Sequence, residues 1–297
     1  MKIKISSLSS PALDRRPRQC LRDPALYFTG GELLCFHTTV EEPLHGRRSL
    51  FIELSRSRDF QHWDTRRLSD SPLNFSSPGN LMEVNGEYVL CLQSYPIPEG
   101  QLWADEHCRL YLMRSRNLTD WSKPEEFVIS RPVPQWSASA RKIDPYLVKH
   151  QGLYYCLYKT EGRFGILRSG DLRSWEEFTD TPVFSSSNTP DGVTVENPCL
   201  IPDDHGGWIM FFSPCRSGRG IGMAKSEDLI HWRDIRYLDL PVPSWAANGI
   251  SAAMVLDLRS SHDCWWMAFH GEDSEHSHSA AIGFARSRDL CRWEITG

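Results

Sequence analysis

The chain has 297 residues, of which 40% are hydrophobic and 24% are charged, and its formal net charge at pH 7 is −5. A chain of this length can bury a large core, in one large domain or two medium ones. Acidic and basic residues are interspersed, which argues against a nucleic-acid partner, since such partners usually require a clustered basic face. The sequence has neither a signal-peptide pattern nor a long apolar run, so we expect a soluble cytoplasmic protein without a membrane partner.

The cysteine pattern points to the same compartment. Nine cysteines are scattered along the chain without any Cys-x-x-Cys pair, and most lie inside apolar, strand-like runs. An odd, dispersed set of this kind is typical of buried reduced thiols rather than of a disulfide framework or a zinc site. We therefore predict no metal ligands among them.

A seven-residue pattern occurs five times along the chain. The copies are SRDFQHW at 57–63, SRNLTDW at 115–121, SGDLRSW at 169–175, SEDLIHW at 226–232 and SRDLCRW at 287–293. Their tryptophans are separated by 58, 54, 57 and 61 residues, and a near-constant period indicates a repeat architecture. Each unit contains several short apolar runs with no helical period. The pattern predicts an all-β, five-bladed β-propeller with four antiparallel strands per blade, forming a single domain over residues 1–297.

The repeated residues themselves have a structural interpretation. The Asp or Asn at the third position is suited to bond backbone N–H groups two residues on, which stabilises a tight turn. The Trp provides a large apolar surface that can wedge between neighbouring blades. Function must then be sought where the five units differ.

The first strands of the five units differ in their opening residues. They read RDPALYF (22–28), SPGNLME (77–83), IDPYLVK (143–149), ENPCLIP (196–202) and SAAMVLD (251–257). Three units open with a carboxylate, from Asp23, Asp144 or Glu196, and the other two with Ser77 or Ser251. Acids can cap strand-entry turns, but capping alone would not place acids in three units and small neutral residues in two. We therefore predict that the three carboxylates are catalytic.

This layout resembles the family 43 glycoside hydrolases, five-bladed propellers that include arabinofuranosidases, xylosidases and arabinanases. The stretches IDPYLVKHQGLYYCLY and ENPCLIPDDHGGWIMFFS are similar in form to that family's second and third acid motifs. The resemblance implies that Asp23 is a general base and Glu196 a general acid, with Asp144 tuning the pKa of the acid and orienting it. Inverting cleavage needs such an acid and base, about 6.5–9.5 Å apart, and a neighbouring negative charge keeps the acid protonated.

The chain also departs from the family pattern. It has Glu-Asn-Pro where the family typically has Glu-Gly-Pro, and Asn248-Gly249-Ile250 where a Gly-His pair is frequent. That histidine helps to form a cation site in the family. We therefore expect no required cofactor, and the sequence gives no support for a structural calcium ion in the central channel.

The second strands end in polar residues that we expect to surround the same pocket. The aligned ends LLCFHTT, VLCLQSY, YYCLYKT, IMFFSPC and WMAFHGE place at one position His37, Gln93, Lys159, Ser213 and His270. These side chains are interpreted either as a ring of hydroxyl-binding groups or as ordinary strand-end residues. Arg22 and Arg216 are further candidates for sugar contacts. Trp136 and Trp245, in the similar segments PVPQWSASA and PVPSWAANG, are either stacking platforms for sugars or loop anchors.

The sequence therefore predicts an inverting glycosidase that removes a terminal sugar, an arabinofuranoside or xyloside, from a small oligosaccharide. The long loops of units II and V favour a closed pocket over a through-cleft. Three alternatives stay open. A family 32 type fructosidase would need Asn-Asp-Pro and Glu-Cys-Pro motifs, which are absent. A phosphorolytic enzyme would need a phosphate site, for which the candidates are Arg22, Arg141 and Lys142. The third is a non-catalytic carbohydrate-binding propeller.

Overall fold

The computed structural model describes residues 8–42, 48–216, 220–274 and 279–295. Within these ranges the regular structure is almost entirely β, apart from a short helix at Arg259–His262 and a 3-10 turn at Ser244–Ala246. The strands form five sheets arranged as the blades of a propeller, which confirms the predicted fold. None of the helices in the described ranges is long and apolar enough to cross a membrane.

Each blade is built from consecutive strands. Blade I contains β1 (Gln19–Thr29), β2 (Glu32–Glu41), β3 (Ser49–Ser57) and β4 (Asp64–Arg67). Blade II contains β5 (Leu81–Val84), β6 (Glu87–Gln93), β7 (Leu110–Ser115) and β8 (Glu125–Glu126), and is followed by β9 (Val128–Ile129). Blade III contains β10 (Ile143–His150), β11 (Leu153–Thr160), β12 (Arg163–Ser169) and β13 (Ser174–Glu177). Blade IV contains β14 (Val195–Pro202), β15 (Trp208–Pro214), β16 (Gly222–Ser226) and β17 (Arg233–Tyr237). Blade V contains β18 (Ile250–Asp257), β19 (Trp265–Glu272), β20 (Ala280–Ser287) and β21 (Trp293–Ile295).

The order of strands within a sheet follows the chain, and neighbouring strands are antiparallel. The exception is β9, which leaves blade II and pairs in parallel with β13, so the sheet of blade III has five strands. This crossing strand ties blade II to the outer edge of blade III.

The repeated seven-residue pattern forms the same turn in every blade. In blade III the Asp171 carboxylate accepts hydrogen bonds from the backbone N–H groups of Arg173, at 2.8 Å, and Ser174, at 2.9 Å. The same pair of bonds recurs at Asp59, Asn117, Asp228 and Asp289. The residue after the acid has a positive φ, 61° at Leu172. The turn therefore needs a side-chain acceptor at the third position, as the sequence indicates.

The repeated tryptophans lie between blades. Trp175 is 2% exposed and stacks on Phe127, which follows β8 of blade II, with ring centroids 4.5 Å apart. Trp293 of blade V contacts Phe211 of blade IV at 6.2 Å. Each of these rings packs against the preceding blade, so the repeat sets the contact between neighbouring sheets.

Replacing Trp175 by alanine should therefore lower the free energy of unfolding by about 3–5 kcal/mol, the usual cost of emptying a buried aromatic site. Trp103→Ala is the matched control, because Trp103 is 61% exposed and should change stability little. Urea denaturation of the two variants beside the wild type measures both effects. Equal losses in the two variants would contradict the wedge role of Trp175.

The ring of blades closes where the chain ends meet. The backbone N–H groups of Ala12 and Leu13 donate to the carbonyl of Ile282 in β20, at 2.9 and 3.1 Å. The sequence predicts that the C-terminal WEIT run (293–296) is the outer strand of the last blade, and Trp293–Ile295 form that strand. It also predicts that the N-terminal KIKI stretch (2–5) packs near the closure, and these residues lie outside the described ranges.

Candidate active site

A cavity of about 260 Å³ opens at the ends of the first and second strands, over the central channel. It contains the three carboxylates Asp23, Asp144 and Glu196 together with the cations Arg22, Arg48, Arg141 and Lys159. Beneath it the channel narrows to a space of about 30 Å³ lined by Pro24, Pro78, Pro145 and Pro198. The cavity is therefore a blind pocket rather than an open pore.

The backbone at the start of the first strands orients the residues at the bottom of this pocket, and the first strands of blades I, III, IV and V carry a bulge there. At this point each blade has one residue with a positive φ, which is uncommon outside glycine, and these residues are Asp23 (49°), Ser77 (43°), Asp144 (52°), Asn197 (54°) and Ala252 (54°). Bulges re-aim side chains and recur beside functional sites. They bring Asp23 and Asp144 to equivalent places in their blades.

Glu196 occupies a different place from the other two acids. It precedes the positive-φ residue of its blade by one position, so its structural counterpart in blade V is Ser251. Because successive strand residues point to opposite sides, this offset gives Glu196 a different direction of approach to the pocket from that of Asp23 and Asp144. The sequence alignment of the three acids at one position missed this offset.

The second-strand ends form a ring of bonds between blades. In four blades the end residue accepts a hydrogen bond from the N–H of the next blade's positive-φ residue. Thr38 accepts from Ser77 at 2.7 Å, and Gln93 accepts from Asp144 at 2.6 Å. Ser213 accepts from Ala252 at 2.7 Å, and the ring nitrogen Nδ1 of His270 accepts from Asp23 at 3.1 Å. These polar residues therefore position the backbone of the positive-φ residues, and Thr38, Gln93 and His270 also line the pocket.

Lys159 is the exception in this ring, because an ammonium group has no lone pair to accept a bond. The N–H of Asn197 donates instead to Asp144 Oδ2, at 3.3 Å. The Lys159 ammonium lies 2.7 Å from Glu196 Oε2 and forms an ion pair with it. The repeat of hydrogen bonds is therefore broken at Lys159, which contacts an acid instead of the backbone of the next blade.

The environment of Asp144 favours its protonated form. The residue is 8% exposed, and burial raises its pKa to about 6, with further contributions from the negative charges of Glu196 and Asp23. The positive charge of Lys159 opposes this rise.

Asp23 is held as a hydrogen-bond acceptor. Its Oδ2 accepts bonds from the hydroxyls of Thr38, at 3.1 Å, and Ser77, at 3.0 Å. Burial raises the pKa of Asp23, while the charge of Arg22 and these two hydrogen bonds partly offset the rise. Arg22 is itself fixed by Glu272, at 2.5 Å, and its guanidinium lies 3.3 Å from the Nε2 of His270.

His37 does not line the pocket. The β1–β2 register pairs Arg22 with Thr38, so Thr38 takes the place in the ring that the sequence alignment gave to His37. A shift of one residue turns a strand side chain to the opposite face. His37 is therefore buried beside Ser55, at 2.9 Å, and burial lowers its pKa to about 4.

Trp136 and Trp245 pack against the blades as loop anchors. Trp136 stacks on Tyr158 at 6.4 Å, and Trp245 stacks on Phe269 at 6.1 Å. A Cβ added at Gly283 would lie 2.7 Å from the Trp245 ring, so this glycine makes room for the indole. Neither tryptophan borders the cavity.

Arg216 also lies outside the cavity wall. Its guanidinium is 2.7 Å from the Asp191 carboxylate and 4.2 Å from the centroid of the Tyr237 ring. Lys142, a candidate for phosphate binding, is buried away from the pocket and lies 3.1 Å from Glu177.

Several pocket residues come from loops. Tyr95, Leu102 and Trp103 belong to the long connection between β6 and β7, and Arg48 directly precedes β3. Leu102 and Trp103 are 65% and 61% exposed, which places them at the mouth. The long β6–β7 loop of blade II is visible in the sequence. Its individual residues could not be assigned to the pocket, because the loop has no counterpart in the other units to align with it.

The residues at the channel do not fit a bound cation. Both ring nitrogens of His270 are engaged, Nδ1 by the Asp23 N–H and Nε2 by Ser251 at 2.7 Å, and the Arg22 guanidinium lies beside them. Across the described ranges, no cluster of three or more His, Cys, Asp or Glu side chains is placed to hold a metal ion.

No protein-family model and no curated protein matches the chain. Its fold is similar to that of a solved glycoside hydrolase, with a TM-score of 0.70 and 13% identity over 97% of this chain and 94% of that one. A GH43 endo-arabinanase from Bacillus licheniformis matches with a TM-score of 0.65 and 16% identity, over 95% and 99%. A β-1,2-mannobiose phosphorylase from Listeria innocua matches with a TM-score of 0.64 and 13% identity, over 92% and 91%. The chain therefore has the five-bladed propeller fold found in family 43 glycoside hydrolases and in a disaccharide phosphorylase.

Proposed function

We propose that the protein is a glycosidase that removes the terminal sugar of a small oligosaccharide. The observation that carries this proposal is the convergence of Asp23, Asp144 and Glu196, from three different blades, on one blind pocket. At about 260 Å³ the pocket is close to the lower end of ligand sites, roughly 300 Å³, which suits one sugar unit better than an extended chain. The solved glycoside hydrolases of the same fold support the general class.

In the proposed inverting reaction, Asp23 removes a proton from a water molecule whose oxygen attacks the anomeric carbon. Glu196 gives a proton to the glycosidic oxygen as the bond between that oxygen and the anomeric carbon breaks. The hydrogen bonds from Thr38 and Ser77 orient Asp23, and Glu196 reaches the same pocket from another blade, as an inverting acid and base require.

The acid proton is shared between Asp144 and Glu196 in this proposal. In the substrate-free protein burial and the negative charges of Glu196 and Asp23 raise the pKa of Asp144, while Lys159 pairs with Glu196. A glycosidic oxygen that displaces Lys159 from Glu196 allows Glu196 to take up the proton and deliver it. Asp144 then becomes the neighbouring negative charge that raises the pKa of the acid.

An arabinofuranoside or a xyloside is the proposed substrate, and the cytoplasm is the proposed compartment. All nine cysteines are free thiols and seven of them are buried, which supports a reducing environment. The test is turnover of aryl α-L-arabinofuranoside, β-D-xyloside, β-D-galactofuranoside and β-D-fructofuranoside, with and without phosphate. Proton NMR of the first product identifies its anomer. A product that retains the anomeric configuration would contradict the inverting mechanism, and a phosphate requirement would indicate phosphorolysis.

The pH dependence of kcat/KM should depend on Lys159. Activity should rise with pH as Asp23 becomes ionised, and fall as pH increases through about 6, where Asp144 loses its proton. In Lys159→Gln the positive charge that lowers the pKa of Asp144 is removed, so the falling limb should move up by about one pH unit. The glutamine oxygen can also accept the Asn197 N–H bond, as Gln93 does for Asp144.

Lys149→Gln is the matched control, because Lys149 lies on β10 outside the pocket and its ammonium faces the Tyr154 ring. Its profile should coincide with that of the wild type. An unchanged or downward-shifted limb in Lys159→Gln would show that Lys159 does not govern the acid.

A further inference from the structure

Arg141 is a pocket cation whose side-chain hydrogen-bond partners are neutral, although the charge of Asp144 acts on it at longer range. It lies three residues before Asp144 and borders the cavity. Its guanidinium donates to the Tyr95 hydroxyl at 3.4 Å and lies 5.7 Å from the centroid of the Tyr95 ring. The thiol of Cys108 is a further partner, and the buried Nε has none among the described residues.

The other three pocket cations each contact an acid. Arg22 lies 2.5 Å from Glu272, and Lys159 lies 2.7 Å from Glu196. Arg48 forms an ion pair with Glu42. Within the described part of the chain, Arg141 has no carboxylate within ion-pair distance, although it lies in the same pocket.

An Arg with a buried, unbonded Nε is costly unless something compensates it, because the guanidinium is always charged and carries five donors. Arginine in this situation suits an anionic oxygen group, since two of its N–H groups can bond two oxygens of a carboxylate or phosphate. The Tyr95 hydroxyl accepts from Arg141 and keeps its own hydrogen for donation. Burial raises the pKa of Tyr95, so this hydroxyl stays protonated.

We propose that Arg141 and Tyr95 form a subsite for an anionic oxygen group that binds above the catalytic carboxylates. The group is either the carboxylate of an acidic sugar or inorganic phosphate, which share the chemistry that the guanidinium and phenol recognise. This inference rests on the proposed function, because it assigns the subsite to a ligand of the same pocket. It would extend the substrate class from neutral pentosides to charged ligands.

Calorimetric titration of the full-length protein at pH 7 tests the subsite. The probes are D-galacturonate against D-galactose, D-glucuronate against D-glucose, and inorganic phosphate. We expect at least one acidic sugar to bind about tenfold more tightly than its neutral partner, or phosphate to bind where neutral sugars do not. Arg141→Gln should remove this advantage, and Arg141→Lys should restore part of it.

Arg163→Gln is the matched control, because Arg163 lies on β12 outside the pocket and donates to the Trp136 carbonyl rather than to an acid. It should bind every probe as the wild type does. Melting curves of all variants verify that they are folded.

The outcomes separate the two sources of the anion. Tighter binding of an acidic sugar would identify the ligand of the subsite as a sugar carboxylate. Phosphate binding that depends on Arg141 would identify the ligand as phosphate. Three results would overturn the inference. The first is equal binding of acidic and neutral sugars without phosphate binding, and the second is no binding of any probe. The third is tighter binding of the anion that persists in Arg141→Gln. Hydrolysis of a neutral aryl glycoside by the wild type would leave the proposed function standing in those cases, so the two failures are distinguishable.

Discussion

Replacing Glu196 by glutamine should lower the turnover of a glycoside with a poor leaving group by about 10²–10⁴-fold, the usual contribution of a general acid. The amide keeps the size of the side chain but cannot give a proton to the glycosidic oxygen. The loss should be much smaller for a 2,4-dinitrophenyl glycoside, because that leaving group departs without protonation. Rates for a series of aryl glycosides of different leaving-group acidity measure this dependence.

Glu126→Gln is the matched control for this substitution. Glu126 lies at the outer edge of blade II, where its carboxylate accepts from the Tyr111 hydroxyl at 3.0 Å. The control should keep the wild-type rate for every leaving group. If Glu196→Gln lowers all rates equally, whatever the leaving group, Glu196 is not the proton donor and Asp144 becomes the candidate.

Replacing Asp23 by asparagine should lower turnover by about 10²–10⁴-fold for good and poor leaving groups alike, because activation of water is then lost. Asparagine has the same shape and can still accept from Thr38 and Ser77, so the pocket should be preserved. Sodium azide, a nucleophile that needs no general base, should restore part of the rate. Steady-state kinetics with and without azide measure both effects.

Asp180→Asn, at an exposed loop position, is the control for loss of a carboxylate, and its rates should equal those of the wild type. Wild-type turnover by Asp23→Asn would exclude Asp23 as the base. A loss confined to poor leaving groups would instead place Asp23 on the acid side of the reaction.

The blades were predictable because they repeat. The Asp or Asn of each copy bonds the same two backbone N–H groups, and such a local turn is encoded by adjacent residues. Spacing of the five tryptophans then determines the number of blades, since each indole packs against the preceding blade. The repeated turn and tryptophan can therefore be recognised in the sequence without any knowledge of tertiary contacts.

The register at the pocket was less predictable. A bulge at Asp23 shifts the pairing of β1 and β2, and Thr38 rather than His37 takes the place beside the pocket. A one-residue shift in strand pairing depends on the backbone conformation of a single residue, and the pattern of apolar residues in the sequence does not predict that conformation.

The contacts of the predicted residues were the least predictable. Sequence analysis placed Lys159 at the pocket, but its ion pair with Glu196 appears only when blades III and IV are side by side. Trp103 belongs to a loop outside every repeat, so no comparison between units could assign it to the mouth. Trp136 and Trp245 share a sequence context, and their packing on Tyr158 and Phe269 is a feature of tertiary structure.

The most direct test of the three-carboxylate site is the turnover of the four aryl glycosides by the wild type beside a variant that combines Asp23→Asn, Asp144→Asn and Glu196→Gln. The wild type should hydrolyse at least one of them, and the folded triple variant should show no turnover above the uncatalysed rate. If the wild type hydrolyses none of the four, or if the triple variant keeps the wild-type rate, the proposed catalytic role of these carboxylates toward such substrates is contradicted.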